Sequence, residues 1–136
     1  MNNTRFATII HILTLLAKHP DQWLSSDWIG ESIAINPVMV RKELALLHKM
    51  GWITSKKGKD GGSQLNVSSC EISMADVYNA VKNSNVLGKK NNCPDIQCPV
   101  GKQINRELEK LFDETDAILI GALEKKSLKA FVSQFN

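Results

Sequence analysis

No apolar run in this 136-residue sequence reaches the roughly twenty residues needed to cross a bilayer. The apolar stretch from Ile9 to Ala17 is followed by no small-residue cleavage site, so it does not read as a secretion signal. A cytoplasmic chain without a membrane partner is the expectation. Cysteine is scarce as well: Cys70, Cys93 and Cys98 make an odd set, which suits a reducing compartment better than a disulfide-stapled secreted domain. Catalytic signatures are also missing, with no glycine-rich phosphate loop after a strand, no His-Glu metal motif and no nucleophile in a recognisable elbow. An enzyme is not expected. With 43% apolar and 23% charged residues, the chain is neither disordered nor fibrous, and its length supports one compact core.

Net charge is only +3, so its distribution matters more than its total. Between residues 36 and 66, Arg41, Lys42, Lys49, Lys56, Lys57 and Lys59 face only Glu43 and Asp60, a local net of +4. A basic segment on a near-neutral body fits a protein that touches a polyanion with one edge. A solvated charged surface would give the same pattern.

Phe6, Ile9, Ile10, Leu13, Leu16 and Ala17 recur at steps of three and four, which predicts an amphipathic helix over residues 4 to 18, ending before Pro20. Ser25 or Ser26 can cap a second, short helix carrying Trp28, Ile29 and Ile33. Asn36-Pro37 opens a third, with Val40, Leu44, Leu47 and Met50 as its buried stripe and Gly51 as its stop. Trp52–Ser55 and Gln64–Val67 then read as two strands around a cationic turn containing Gly58, Gly61 and Gly62. Ser73 caps a helix holding Val77, Ala80 and Val81, and Asn83 to Asn92 reads as a mobile polar loop. Pro94 and Pro99 keep the next segment irregular. A long helix starts near Lys102 and carries Ile104, Leu108, Leu111, Phe112, Thr115 and Leu119 on one face, with a break near Gly121 before a last helix holding Leu123, Leu128, Phe131 and Val132.

The expected fold is mainly α with a small β-hairpin wing. Residues 1–82 make a winged helix-turn-helix, residues 83–101 a loop with Cys93 and Cys98, and residues 102–136 a dimerisation helix with a C-terminal helix. In this order of elements the third helix can enter a major groove while the hairpin reaches a neighbouring groove or the backbone. Arg41 and Lys42 lie off the apolar stripe, and Arg41 can bridge guanine O6 and N7. Two solvated surface cations, or a basic face that meets an acidic protein partner, would leave the same trace in sequence.

Asn36-Pro37-Val38-Met39-Val40-Arg41-Lys42, Met50-Gly51-Trp52-Ile53, Ser55 to Gly62, Ile72 to Val81 and Cys98-Pro99-Val100-Gly101 together resemble the Rrf2 family of bacterial repressors over nearly the whole chain. The Asn-Pro-Val and Cys-Pro-Val-Gly segments are most similar to its YwnA-like subgroup. The resemblance implies a homodimer on an inverted-repeat operator in double-stranded DNA, with Arg41 and Lys42 on bases. Lys57 matches a wing arginine; lysine keeps the charge and loses the planar fork. Arg5, Ser25, Ser26, Asn36, Val38 and Lys56 join the candidate DNA contacts. The long helix would join the subunits through Ile104, Leu108, Leu111, Phe112 and Leu119, although the same stripe suits packing within one chain.

Cluster-binding members of the family hold an iron–sulfur centre with three closely spaced cysteines ahead of the long helix. Here Cys93 and Cys98 stand alone, Gln103, Ile104 and Asn105 offer no thiolate, and His11, His19 and His48 lie in other elements. No cofactor is expected, with a cluster-dependent or metal-dependent regulator as the competing reading. Cys98, just before the long helix, instead fits a thiol that senses a small oxidant or electrophile, with Cys93 as resolving partner. An inert cysteine packed near the subunit interface is the plain alternative, and Cys70 reads as structural.

Overall fold

The structure, a computed structural model, describes residues 4–135. Helix α1 (Arg5–Lys18) runs through the centre, with Ile9, Ile12, Leu13 and Leu16 fully buried. Helix α2 (Ser26–Ile33) begins where the Ser25 side chain accepts the Trp28 N–H, and it ends at Ala34 in the left-handed conformation. Helix α3 (Pro37–Lys49) opens on the Asn36 side chain, which accepts the Val38 N–H at 2.9 Å, with proline in the first turn, where no amide donor is needed. Val40, Leu44 and Leu47 seat this helix on the core; each such side chain contributes about 1.5–3 kcal/mol of burial. Gly51, at φ 79°, turns the chain out of the helix. Met50 does not join the stripe. It is the C-cap residue, still helical in backbone, but its place on the helix falls beyond the edge of the stripe and it is 42% exposed.

Strands β1 (Ile53–Lys56) and β2 (Gly62–Leu65) form an antiparallel hairpin in the register Ile53 to Leu65 and Lys56 to Gly62. β2 starts two residues earlier than the apolar pattern implied, because a partner outside the hairpin claims it. Leu24, between α1 and α2, exchanges backbone hydrogen bonds with Ser63 (3.1 and 2.9 Å) and so acts as a one-residue third strand. Gly62 lets the two backbones meet: a Cβ there would lie 2.5 Å from the Leu24 carbonyl. The wing is thereby fastened to the helix-turn-helix.

After a 3₁₀ turn (Ser69–Glu71), helix α4 (Met74–Val81) starts in a capping box, where Ser73 and Asp76 each accept the other's backbone N–H. Helix α5 (Ile104–Glu124) and helix α6 (Leu128–Val132) complete the chain. The α5–α6 junction is tied to the start of α4 by the Met74 N–H to the Lys126 carbonyl and the Leu128 N–H to the Ile72 carbonyl, both 2.8 Å. Leu128 and Val132 enter the core that also holds α1, so the last helix packs with the N-terminal elements.

The second half of the chain also departs from the sequence pattern. The long helix starts at Ile104 and continues unbroken through Gly121, and Leu123 belongs to it rather than to α6. One glycine costs a helix only about 1 kcal/mol, too little to break 21 residues in register. Asn83 to Asn92 is not simply a loose connection, since the buried Asp116 carboxylate accepts the Asn85 side-chain amide at 2.7 Å and the Val86 N–H at 2.8 Å. Phe112, expected on the same open stripe as Leu111, is instead largely covered by its own chain, at 8% exposed.

Replacing Gly62 by alanine is expected to destabilise the fold by about 1–3 kcal/mol, because the added methyl must push Leu24 aside. Urea unfolding checks it; an unchanged midpoint would show that the Leu24–Ser63 bridge does not anchor the wing.

Candidate functional site

Successive residues of an α-helix lie about 100° apart, so burying Val40, Leu44 and Leu47 turns Val38, Arg41, Lys42, Ala45 and Lys49 outward. Val38, Arg41 and Lys42 sit in the first two turns and are exposed. No ion pair engages Arg41 or Lys42 among the described residues. Beside them a cleft of about 350 Å³ separates α3 from the wing, lined by Ser26, Arg41, Ala45, His48, Ser55 and Lys56, among others. The hairpin tip, Lys57 to Asp60, is exposed beyond it. An apolar groove of about 860 Å³ between α1 and α6, bounded by Phe6, Ile10, Met74, Phe131 and Phe135, contains none of the candidate residues.

The remaining candidates divide by what holds them. Ser25 and Asn36 spend their side-chain acceptors on helix caps, so their part is to aim α2 and α3. Ser26 lines the cleft. Lys56 lies over the Trp23 ring, 5.9 Å from its centroid, which draws its ammonium toward the connection between α1 and α2. Arg5 is not on α3 but reaches it: Nε and Nη2 each donate to a different oxygen of Glu43 at 2.9 Å. Glu43 is 3% exposed, and its hydrogen bond raises the Arg5 guanidinium above its already high ordinary value, against burial, which lowers it. Sequence reasoning counted Glu43 only as a charge. Its position three residues after Val40 and four before Leu47 was the available sign that it falls on the buried side.

The cysteine segment has its own local logic. The Cys98 N–H donates to the Asp95 carbonyl and the Gln97 N–H to the Asp95 side chain, winding residues 95–98 into a turn. Gly101 closes against it, since a Cβ there would lie 2.4 Å from the Asp95 carbonyl oxygen. Hydrogen bonds from the backbone of Gly101 and then Val100 hold the Cys98 thiol below its ordinary range. Cys93 and Cys98 are both exposed, as is Cys70, whose sulfur lies 3.0 Å from the Ser68 hydroxyl.

On α5, Ile104, Leu108, Leu111, Thr115, Ile118 and Ala122 alternate at steps of four and three along one line, the spacing of a coiled-coil seam. Ile118 is 76% and Leu111 49% exposed on this line. Phe112 and Leu119 lie to one side of it, with the buried Asp116, so the stripe seen in sequence spans two adjoining faces.

The family profile described as "Rrf2: Iron-dependent Transcriptional regulator" matches residues 2–134. This chain belongs to the Rrf2 family. It is 38% identical over 129 residues to YwnA of Bacillus subtilis (strain 168), a protein assigned as an HTH-type transcriptional regulator, with 95% of each chain covered. A crystal structure of a protein assigned as DNA-binding superposes with a TM-score of 0.74 at 35% identity, covering 93% of this chain and 97% of that one. CymR, the global cysteine regulator of Bacillus subtilis, shares the fold, with a TM-score of 0.69 at 17% identity over 100% of this chain and 98% of that one. As an Rrf2 member the chain is a DNA-binding transcriptional regulator, and its relatives are regulators rather than enzymes. The iron in the family's description is a separate matter. Among the described residues no three His, Cys, Asp or Glu side chains converge, and Cys93 and Cys98 are both exposed.

Iodoacetamide labelling followed by peptide mass spectrometry is expected to modify Cys98 ahead of Cys70 and Cys93 at neutral pH, because the thiolate is the nucleophile and the backbone hydrogen bonds from Gly101 and Val100 stabilise it at Cys98. Equal rates at the three sites would remove the special status of the Cys98 turn.

Proposed function

We propose that this Rrf2 regulator represses transcription in the cytoplasm by binding an inverted-repeat operator as a homodimer, and that a thiol rather than a resident cluster carries its signal. The observation that carries the DNA reading is the exposed start of α3, with Val38, Arg41 and Lys42 turned away from the core beside a cleft shared with the wing. An α-helix fits a major groove in this pose, and Arg41 has the planar fork that matches guanine O6 and N7. Lys57, at the wing tip, contributes charge to the sugar–phosphate backbone.

The unpartnered line on α5 supports the dimer. A second copy laying its own Leu111 and Ile118 against the same line would remove both from water and present two α3 helices to successive turns of one DNA face. Cys98 lies between the turn pinned by Asp116 and the start of α5, so a modification there acts at the root of the joining helix. The signal on this reading is a small oxidant or electrophile, with Cys93 as the thiol that resolves it.

Selection of genomic fragments by the purified protein, repeated after mild oxidation, tests the reading as a whole: recovery of a discrete inverted repeat that oxidation releases is expected. Recovery of no sequence preference would overturn it. For the contacts, Arg41→Ala is expected to cost about 1–3 kcal/mol on the recovered duplex and to relax base preference. Lys57→Ala should weaken all sequences alike and lower the salt slope by about one ion. Fluorescence anisotropy on recovered and scrambled duplexes separates the two effects. For the dimer, Ile118→Glu is expected to halve the mass measured by light scattering, and a monomeric parent at micromolar concentration would exclude the seam.

A further inference from the structure

The recognition helix is flanked by two different supports. On one side, at Arg41, Leu44, Ala45 and His48, it faces the wing across the cleft. On the side nearly opposite, about 150° around the helix from the centre of that cleft, Glu43 leaves α3 and meets Arg5 at the start of α1. Both oxygens of Glu43 are used by the Arg5 fork, and the Glu43 side chain is 4% exposed while that of Arg5 is 40% exposed. Glu43 sits at the edge of the buried face, beside Leu47 and Val40, where a helix of this kind more often carries an apolar side chain. A buried carboxylate costs desolvation that a hydrophobic replacement avoids, so its presence calls for a use.

We propose that Glu43 is a positioning residue for DNA recognition: it fixes the Arg5 guanidinium on the flank of α3 away from the wing, where the phosphates bordering the major groove run. This rests on the reading that α3 lies in that groove. Wing and Arg5 then bracket the helix, and each holds one wall of the groove relative to it. A flexible arginine loses side-chain freedom when it meets a phosphate; one already held in a two-point clamp has lost most of it beforehand. The clamp also sets the rotation of α3, because Glu43 is one residue from Lys42 and two from Arg41. The carboxylate opposes DNA at long range while sharpening the approach at short range. Its loss therefore separates two quantities that usually move together, raising affinity for any duplex and lowering discrimination between duplexes.

The test compares the full-length parent with Glu43→Gln, Arg5→Lys and the double variant Arg5→Met/Glu43→Met. Probes are the duplex recovered by genomic selection and a scrambled duplex of the same composition, over a range of salt, with thermal unfolding measured alongside. Glu43→Gln is expected to bind the scrambled duplex as tightly as the parent or more so, and to lose roughly tenfold in the ratio of specific to scrambled affinity. Arg5→Lys, which keeps the charge and loses the fork, should lose discrimination in the same direction. The double variant removes both charges of the pair together and leaves no unpaired buried carboxylate, so it is expected to unfold no earlier than the parent yet bind the recovered duplex more weakly, with a salt slope lower by about one ion. If the double variant matches the parent in affinity and discrimination, or if Glu43→Gln keeps the parent's ratio, the pair is a packing feature only and the proposal fails. A parent that shows no preference for the recovered duplex would instead overturn the groove reading itself.

Discussion

Helix α3 has to satisfy two environments with thirteen residues. One side must be apolar enough to seat it, and the other must stay uncovered if it is to make the proposed contact with DNA. Val40, Leu44 and Leu47 meet the first demand, and three buried aliphatic side chains, at about 1.5–3 kcal/mol each, are enough to set the helix's depth but leave its roll less defined. The Asn36 cap and Pro37 set where the helix starts, and Glu43 clamped by Arg5 resists rotation. The wing depends on the same arrangement, because Leu24 at the entry to α2 pairs with Ser63 of β2. Displacing α3 would therefore disturb the cleft, the hairpin and the α1 terminus together.

The second half of the chain answers a different constraint. A 21-residue helix must be attached to the N-terminal core along part of its surface and still leave a line of apolar side chains over. Asp116 achieves part of the attachment by polar means, holding the Asn85–Gly88 turn through two hydrogen bonds from a buried position. Such a carboxylate is stabilising only while both donors stay in place. The segment that leads to Cys98 is thus tied at its start to the helix that follows it. The compact Asp95–Gly101 turn does the rest by directing backbone N–H groups at the sulfur.

Much of this was legible in the sequence. Helical spacing placed α1 and α3, serine and asparagine at the right offsets marked the caps, and glycines marked the hairpin, because each of these signals is local. The differences have two causes, tertiary contact and the angle at which a residue leaves its helix. The start of β2 moved because Leu24, some forty residues earlier, supplies a partner for Ser63. Met50 fitted the helical period but lay one step past the last turn. Gly121 looked like a break since composition does not reveal that a long packed helix tolerates one glycine. Leu111 and Phe112 were read as one stripe although neighbouring residues stand about 100° apart, one on the open line and one under the chain's own cover. Glu43 and Asp116 were passed over because a buried acid cannot be told from a solvated one without its donors.

On the proposed reading the chain meets DNA through α3 and the tip of the wing. Lysine acetylation, read residue by residue by mass spectrometry with and without saturating duplex DNA, addresses it directly, and any duplex that the protein binds will serve. Lys42, Lys57 and Lys59 are exposed on that face, whereas Lys102, Lys110 and Lys125 are exposed at α5 and its approaches. Strong protection of the first three with little change in the others is the expected result. Uniform protection, or protection concentrated on the α5 lysines, would contradict the account.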